Sequence, residues 1–351
     1  MDALSDVLRA VRLKGAIFFD VHASDPWAAE TPAGRQIVSR MFPAAENLIC
    51  YHAITHGTCW ATVGNEPPLP LKEGDVVVIP HGHAHVLASA PGLRGAHDVG
   101  RYRAPHELEL PVAISMGEGT TESAGFVCGF LGCDARPYNP LLGSLPHVFK
   151  VSDQLDGPLS AYVKIALRES KQPRIGSESV LGRLSELMFV DVIRRYLETL
   201  PPERLDWLAG LRDPFIGRAL AEIHRNPACH WTLESLARQV AMSRSAFAEH
   251  FARFVGTPPM QYLARWRMQI AANQLLSTTD SVMTVANRVG YDSEAAFSRA
   301  FKKAVGAPPS EWRRRSQPAQ PPLASARSVP DTLELDVLHT TVIAERHDRG
   351  E

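Results

Sequence analysis

No stretch of this chain runs to about 18 consecutive apolar residues, so no membrane-spanning helix is expected. The amino end, MDALSDVLRAVRLKGAIFF, is amphipathic. It lacks the basic start, apolar core and small-residue cleavage site of a secretory signal. Cysteine is scarce: five residues, Cys50, Cys59, Cys128, Cys133 and Cys229, odd in number and scattered. That excludes a disulfide framework and points to a reducing cytoplasm. Also missing are a phosphate-binding glycine loop, a Gly-x-Ser-x-Gly elbow and a Cys-x-x-Cys pair. No enzyme constellation stands out, and no cofactor is expected. What is present is ordinary globular material, 351 residues with 45% apolar and 21% charged side chains, long enough for two domains.

The net charge of −1 conceals a segregation. Residues 211–315 carry 15 Lys/Arg against 8 Asp/Glu, residues 1–210 carry 19 against 24, and the remainder carries 3 against 6. A basic segment attached to a mildly acidic one suits a polyanion-binding module joined to something that does not bind polyanions.

The pattern along the chain changes twice. Up to about residue 150, short apolar runs such as Leu48-Ile49-Cys50-Tyr51 and Val76-Val77-Val78-Ile79 alternate with Gly/Pro punctuation. That is the signature of a barrel or sandwich of short strands. From 178 to 200, Leu181, Leu184, Met188, Val192 and Tyr196 fall near helical spacing until Pro201-Pro202 ends the run. This helix is expected either to pair with its twin in a homodimer or to serve as a spacer within a linker, 151–208. Short helices follow from 209 to 315. A Pro/Ser/Ala-rich tail, 316–351, is expected to be flexible, with a possible weakly docked strand at 333–343.

Within the helical region a unit occurs twice. ARQVAMSRSAFAEHFARFVGTPP (237–259) aligns with ANRVGYDSEAAFSRAFKKAVGAPP (286–309), the second having one extra residue at the turn. Ala237 meets Ala286, Val240 meets Val289, Phe247 meets Phe297, Phe251 meets Phe301 and Gly256 meets Gly306. Thr232 is placed to cap the first helix of the first copy, with Glu234 and Ser235 in its opening turn. Ser243 caps the second helix, whose buried side is Phe247 and Phe251 and whose open side shows Arg244, Ser245, Glu249 and Arg253. In the second copy Gly290 makes the turn and Asp292 or Ser293 caps the helix. Its open side shows Glu294, Ser298, Arg299, Lys302 and Lys303. Helix, tight turn and helix is a shape that lays its second helix in a major groove. The intervening MQYLARWRMQIAANQLLSTT favours a helix; about 19 residues give a rod of roughly 28 Å. Successive major grooves on one face of the duplex lie about 34 Å apart. A bland alternative is a structural or protein-interaction domain that merely contains a repeat.

The second copy, with Ala286-x-x-Val289-Gly290-Tyr291-x-Ser293 leading into Phe297-x-Arg299-x-Phe301-Lys302-Lys303, resembles the signature of the arabinose-regulator (AraC/XylS) family of bacterial transcription factors. Arg265-Trp266-Arg267-Met268, Ala272 and Leu275-Leu276 look like its linker helix. The resemblance covers about 213–315. It implies a seven-helix domain with two helix-turn-helix units and double-stranded promoter DNA as partner. It further implies that the first copy gives most base specificity, while the second contacts backbone or RNA polymerase.

Gly74-Asp75-x4-Pro80-x-Gly82-x2-His85 resembles the second half-motif of the cupin barrels. That resemblance implies that His85 points inward. The first half-motif is broken: Cys50 stands where the glutamate belongs, and Pro43 and Ala45 where the histidine pair belongs, with His52 and His56 offset nearby. Cys128-Gly129 and Leu145-Pro146 also look like the cupin-type sensor domain of such regulators. His81, His83 and His85, with His52 and His97 in the same region, suggest metal ligation, since imidazoles at alternate strand positions face one way. Gly82 argues instead for a turn there, and without the missing ligands no metal is expected. His52, His85 and Cys128 are the candidate ligand-binding residues, and the metal trio if one exists. Cys128-x4-Cys133 is too isolated to be a zinc site.

The expected fold is therefore α+β and multidomain: a cupin-like β-barrel (1–150), then an all-α domain with two helix-turn-helix units (209–315). The expected function is sequence-specific DNA-binding regulation of transcription, more an activator than a repressor, controlled by a small-molecule effector in the barrel. The alternative is a metal-dependent cupin enzyme fused to a DNA-binding domain.

Overall fold

The computed structural model describes residues 2–96, 98–103, 112–152, 157–172 and 174–315. His97, the tail 316–351 and the strand expected at 333–343 lie outside the described residues. The order begins α1 (Ala3–Ala10), β1 (Lys14–Ala23), β2 (Ala28–Thr31), α2 (Gly34–Met41), β3 (Asn47–Val63), β4 (Leu69–Lys72), β5 (Asp75–Ile79) and β6 (His85–Ala88). It continues with β7 (Val112–Met116), β8 (Ala124–Cys133), α3 (Pro140–Ser144), β9 (Phe149–Ser152), α4 (Pro158–Lys171) and α5 (Ser177–Thr199). The helical part comprises α6 (Trp207–Arg212), α7 (Ile216–Arg225), α8 (Leu233–Gln239), α9 (Arg244–Val255), α10 (Pro259–Ser277), α11 (Val282–Arg288), α12 (Glu294–Val305) and α13 (Pro309–Arg315).

The long strand β3 organises the barrel. Its first half is flanked by β8 on one edge and β5 on the other, and its second half by β4 and β6 on opposite edges. The chain bends between the halves at Gly57, where φ is +73° and an added Cβ would lie 2.0 Å from Ser123 O. Only glycine fits there. Asp75, fully buried, accepts hydrogen bonds from Lys72 N (3.1 Å), Lys150 Nζ (3.1 Å) and Ser152 Oγ (2.6 Å). The Gly-Asp motif thereby ties β4, β5 and β9 together.

Alternation along the strands sends side chains into two cores. Phe126, Cys128 and Phe130 of β8, with Cys50 and Ile54 of β3, join the barrel interior. Val127 and Leu131 of β8, with Ile49, Tyr51 and Ala53 of β3, face the other way. This explains why β8 is buried along its whole length.

The outward face is covered by α5, the helix expected at 178–200. Leu181, Leu184, Met188, Phe189, Val192, Ile193 and Tyr196 bury against the sheet. Close approach is set by a glycine pair: a Cβ on Gly15 would lie 2.8 Å from Ser185 Cβ, and one on Gly182 would lie 2.9 Å from Gly15 O. The Tyr51 ring passes over Gly129, where a Cβ would come within 1.9 Å of it, and its hydroxyl bonds Ser185 Oγ at 2.8 Å. The described residues of the stretch expected as a linker, 151–208, include α4 and α5, and α5 packs on the barrel. The apolar stripe of 178–200 is buried by the chain's own sheet, so that stripe is available neither to a twin nor to a free spacer.

The same core continues into the helical part, through Trp207, Leu220, Ile223, Leu236, Phe247, Phe251, Tyr262 and Trp266. α1 lies at this junction and packs on α3, α7 and α10. Gln269 of α10, 1% exposed, donates to Ala10 O at 3.1 Å and accepts from Tyr138 N at 2.9 Å. A separate core holds α11, α12 and α13 on the second half of α10, around Val285, Phe297, Phe301 and Trp312.

Caps fall where the sequence places them. Thr232 and Ser235 form a capping box on α8, Ser243 caps α9 and Ser293 caps α12. Positive φ occurs at Ala241 (53°) in the first turn and at Gly290 (82°) in the second. An added Cβ on Gly290 would meet Ala228 O at 2.6 Å, whereas one on Gly306 (φ 86°) meets nothing within 4 Å. Gly306→Ala is therefore expected to cost about 1 kcal/mol, from backbone conformation alone. Gly290→Ala should cost roughly twice that or more, since clash adds to strain. Denaturant melts of the two variants check the difference; equal losses would contradict it.

Candidate nucleic-acid interface and barrel cavity

In each copy a short helix (α8, α11) supports a second helix (α9, α12) whose aromatic side is buried. Ala237 and Ala286, both at most 1% exposed, let the two helices of each unit approach closely. Phe247 and Phe251 lie 5.6 Å apart, Phe297 and Phe301 5.5 Å apart, all fully buried. The opposite sides are open. Ser243, Arg244, Ser245, Glu249 and Arg253 are exposed in the first unit. Ser293, Glu294, Arg299, Lys302 and Lys303 are exposed in the second, with Ser298 half-buried.

Register by the phenylalanines shows that the two faces differ. Ala248 aligns with Ser298, Glu249 with Arg299, Ala252 with Lys302 and Arg253 with Lys303. The second face is cationic and suited to phosphate. The first is small and polar, with one carboxylate at its centre, which suits close approach to base edges. Ala248 and Ala252, which a search for charged residues passes over, are half-buried and leave the α9 backbone less covered than Ser298 and Lys302 leave that of α12. Arg253 is turned back on its own domain. Its guanidinium bonds His250 Nδ1 at 2.9 Å and lies over the Phe254 ring, while His250 Nε2 reaches Asp213 at 3.1 Å.

The rod α10 joins the units and is locked at its middle. The half-buried Arg267 donates to Pro227 O at 2.7 Å and Cys229 O at 2.9 Å in the α7–α8 loop. It also donates to Gly290 O, in the turn of the second unit, at 3.3 Å. One guanidinium thus spans both units. Burial lowers its pKa somewhat, but arginine stays charged. Trp312 Nε1 donates to Ala272 O at 3.3 Å, fixing α13 to the rod.

His52, His85 and Cys128 meet inside the barrel. His52 and Cys128 are cross-strand partners of β3 and β8, and His85 enters from β6. The hydrogen-bond sense follows from one carbonyl. His85 Nδ1–H donates to His83 O at 2.8 Å, so His85 Nε2 accepts from His52 Nε2–H at 2.7 Å. His52 Nδ1 is then left to accept the Cys128 thiol proton at 3.1 Å. All three groups are held neutral. Burial pushes His85 down to about 4 and His52 well below its usual value, helped by His85, while burial pushes the Cys128 thiol up. Cys128 and His85 address opposite edges of the His52 ring, so the three form a chain rather than a set converging on one ion. Among the described residues no group of three His, Cys, Asp or Glu is arranged to hold a metal. His81 and His83 stay outside the cavity: His81 Nε2 bonds Leu145 O at 3.1 Å, and the His83 ring lies 4.7 Å from His147. A cavity of about 230 Å³ opens beside His52 and Cys128, walled by Phe19, Tyr102, Phe126 and Phe130 among others.

Comparison with known proteins agrees with this two-part architecture. The cupin family matches residues 2–198 and a helix-turn-helix domain matches 236–315. A putative AraC-like transcription regulator of Streptomyces lividans is 33% identical over 319 residues, covering 90% of this chain and 98% of that protein. The chain belongs to the AraC-like transcription regulators. Also similar to this AraC-like chain is the RCS-specific HTH-type transcriptional activator RclR of Escherichia coli, 27% identical over 92% of this chain and all of that one. The DNA-binding domain of AdpA, solved in complex with a target DNA, is 29% identical with a TM-score of 0.28, covering 29% of this chain and 92% of that one. The cupin match runs past residue 150 to the end of α5, as the packing of that helix on the barrel requires.

Proposed function

We propose that this AraC-like regulator is a cytoplasmic, homodimeric activator that reads promoter DNA with both helix-turn-helix units and is controlled by a small molecule in the barrel cavity. The observation that carries DNA reading is the pair of exposed helix faces held in fixed relation by Arg267 and the rod. In this reading Arg244, Ser245 and Glu249 face base edges. Arg299, Lys302 and Lys303 grip phosphates, and Ser243, Ser293, Glu294 and Ser298 complete the two surfaces. Arg253 joins them by leaving His250. RNA polymerase is the partner of the bound complex. The dimer uses the outer side of α5, where Val180 and Leu187 are exposed by 41% and 50%. Cavity occupancy reaches DNA through the junction at α1, Tyr138 and Gln269, because a shift of the barrel there moves the rod itself. A ligand acts only if it binds one arrangement more tightly than the other.

Selection of duplexes from a random pool by the full chain supplies the test DNA. Arg244→Ala should weaken the selected duplex by about 1–3 kcal/mol if it reads a guanine. Glu249→Ala should weaken the selected duplex by a similar ~1–3 kcal/mol while leaving random DNA bound as well or better, because a carboxylate that accepts from a base amino group also repels phosphate. Equal change on selected and random duplexes for both variants would remove base reading from α9.

A further inference from the structure

The barrel cavity restricts its own occupant, and the consequence of that occupant for DNA binding rests on the effector reading above. The walls are mostly rings and aliphatic side chains, with Glu30, Thr31, Arg101 and Ser115 among them. Phe19, Tyr102 and Phe130 meet edge to face, with centroids 5.6, 5.8 and 6.1 Å apart. Phe126 adds a fourth ring, backed by Trp27 at 5.4 Å.

Polar atoms are present; the deep ones are satisfied among themselves, and Ser115 and Arg101 lie at the exposed rim. The chain from Cys128 through His52 and His85 ends on the His83 carbonyl. Tyr102 is hydrogen-bonded to the Thr31 side chain. Glu30 is held by both prongs of Arg94. Arg101, its side chain 47% exposed, sits 3.9 Å from Asp98.

Each of these facts rejects a class of ligand. A sugar carries many hydroxyls that would leave water without finding partners. A carboxylate would meet Glu30 as well as Arg101, which already sits beside Asp98 at the exposed rim. Deeper in, it would exchange its hydration for a neutral thiol and one neutral imidazole, as would a metal ion. A flat, uncharged ring gains instead, because rings prefer edge-to-face neighbours and the site buries ring surface. Size agrees: a dry cavity of about 150 Å³ admits benzene, and this one measures about 230 Å³. The Cys128 sulfur, its proton turned toward His52, faces the cavity as one weak acceptor.

We propose that the barrel cavity binds an uncharged aromatic molecule of one or two fused rings that carries at most one hydrogen-bond donor.

Indole is the probe, with benzoate, glucose and zinc ion as comparisons, tested on the full chain by thermal melting and titration calorimetry. Indole is expected to bind saturably and raise the melting temperature, with benzoate, glucose and zinc at least about 10-fold weaker. Cys128→Phe fills the cavity and should abolish the indole effect while unliganded DNA binding persists. If that variant does not fold, Ala29→Phe, placed in the partly exposed wall, carries the same expectation. Tighter binding of benzoate, glucose or zinc than of indole, or no saturable indole binding up to its solubility, overturns the proposal. Failure of the effector reading looks different. Indole that binds without changing affinity for the selected duplex leaves the occupant class standing and removes its regulatory role. A charged or sugar ligand that binds in the cavity and shifts DNA affinity does the reverse.

Discussion

Phe301→Ala is expected to unfold the second helix-turn-helix unit while the rest of the protein stays folded, at a cost to that unit of about 3–5 kcal/mol. The size follows from burial: Phe301 is 0% exposed, packed 5.5 Å from Phe297 and 6.3 Å from Trp312. The locality follows from the cores. α11, α12, α13 and the second half of α10 close around their own cluster, while the first unit shares its cluster with the barrel's outer sheet face and α5. A cavity in the small cluster is therefore felt by one unit, and a cavity at Phe247 by the whole. Heating Phe301→Ala should show an early, small transition followed by the main one; heating Phe247→Ala should lower the main transition itself. DNA binding carries the second readout. Losing one of two linked contacts forfeits the advantage of linkage, about 10²-fold or more in affinity for the selected duplex. A single cooperative transition in Phe301→Ala, with DNA affinity lost only in proportion to global unfolding, would show that the two cores act as one.

This division into cores marks where the sequence stops being readable. The duplicated unit is legible because every signal in it is local. Ser243 and Ser293 lie one residue before their helices, Phe-x3-Phe repeats at helical spacing, and Gly290 and Gly306 stand at their turns. α10 is legible as a rod because nothing in it breaks a helix. Within the barrel, His52, His85 and Cys128 stand out as residue types, and cross-strand pairing brings them together. Their hydrogen-bond order does not stand out, since it is dictated by the His83 carbonyl. The apolar stripe of α5 announces that one side is buried but not by what. Its partner is β1, and the glycines that permit the contact, Gly15 and Gly182, are 167 positions apart in a chain with many glycines. Gln269 is the extreme case. In sequence it is one more polar residue in a helix; in the fold it joins Ala10 and Tyr138 across separations of 259 and 131 residues. Pattern reading finds faces, and only the fold supplies their partners.

Acid is expected to destabilise this protein before its carboxylates protonate, because three histidines are buried in neutral form. His85 is pushed down to about 4, His224 to about 3 and His52 well below its usual value, each first by burial. For His224 the geometry shows why. Its ring stacks on Trp266 at 4.0 Å, and Nε2 accepts the Tyr262 hydroxyl proton at 2.7 Å, that hydroxyl in turn accepting from Trp207 Nε1–H. Nδ1–H is then buried with no partner, and the Asp2 carboxylate, the one charge that favours a second proton, does not offset the burial. Above the unfolded-state value of about 6.5, folded and unfolded chains both keep these rings neutral and stability is intact. Below it the unfolded chain binds protons that the folded chain refuses, so stability falls as pH falls toward the folded values. Each histidine steepens that fall by about 1.4 kcal/mol per pH unit, and three together by roughly 4. A domain stable by about 5–15 kcal/mol does not withstand many such units. Denaturant melts at pH 7.5, 6 and 5 should show the slope, and His224→Phe, which keeps the stack on Trp266 and removes the titrating ring, should shallow it by about one proton's share. A slope unchanged by His224→Phe would mean that this ring titrates alike in both states, and the stacked, half-satisfied imidazole would then not be the neutral wedge described.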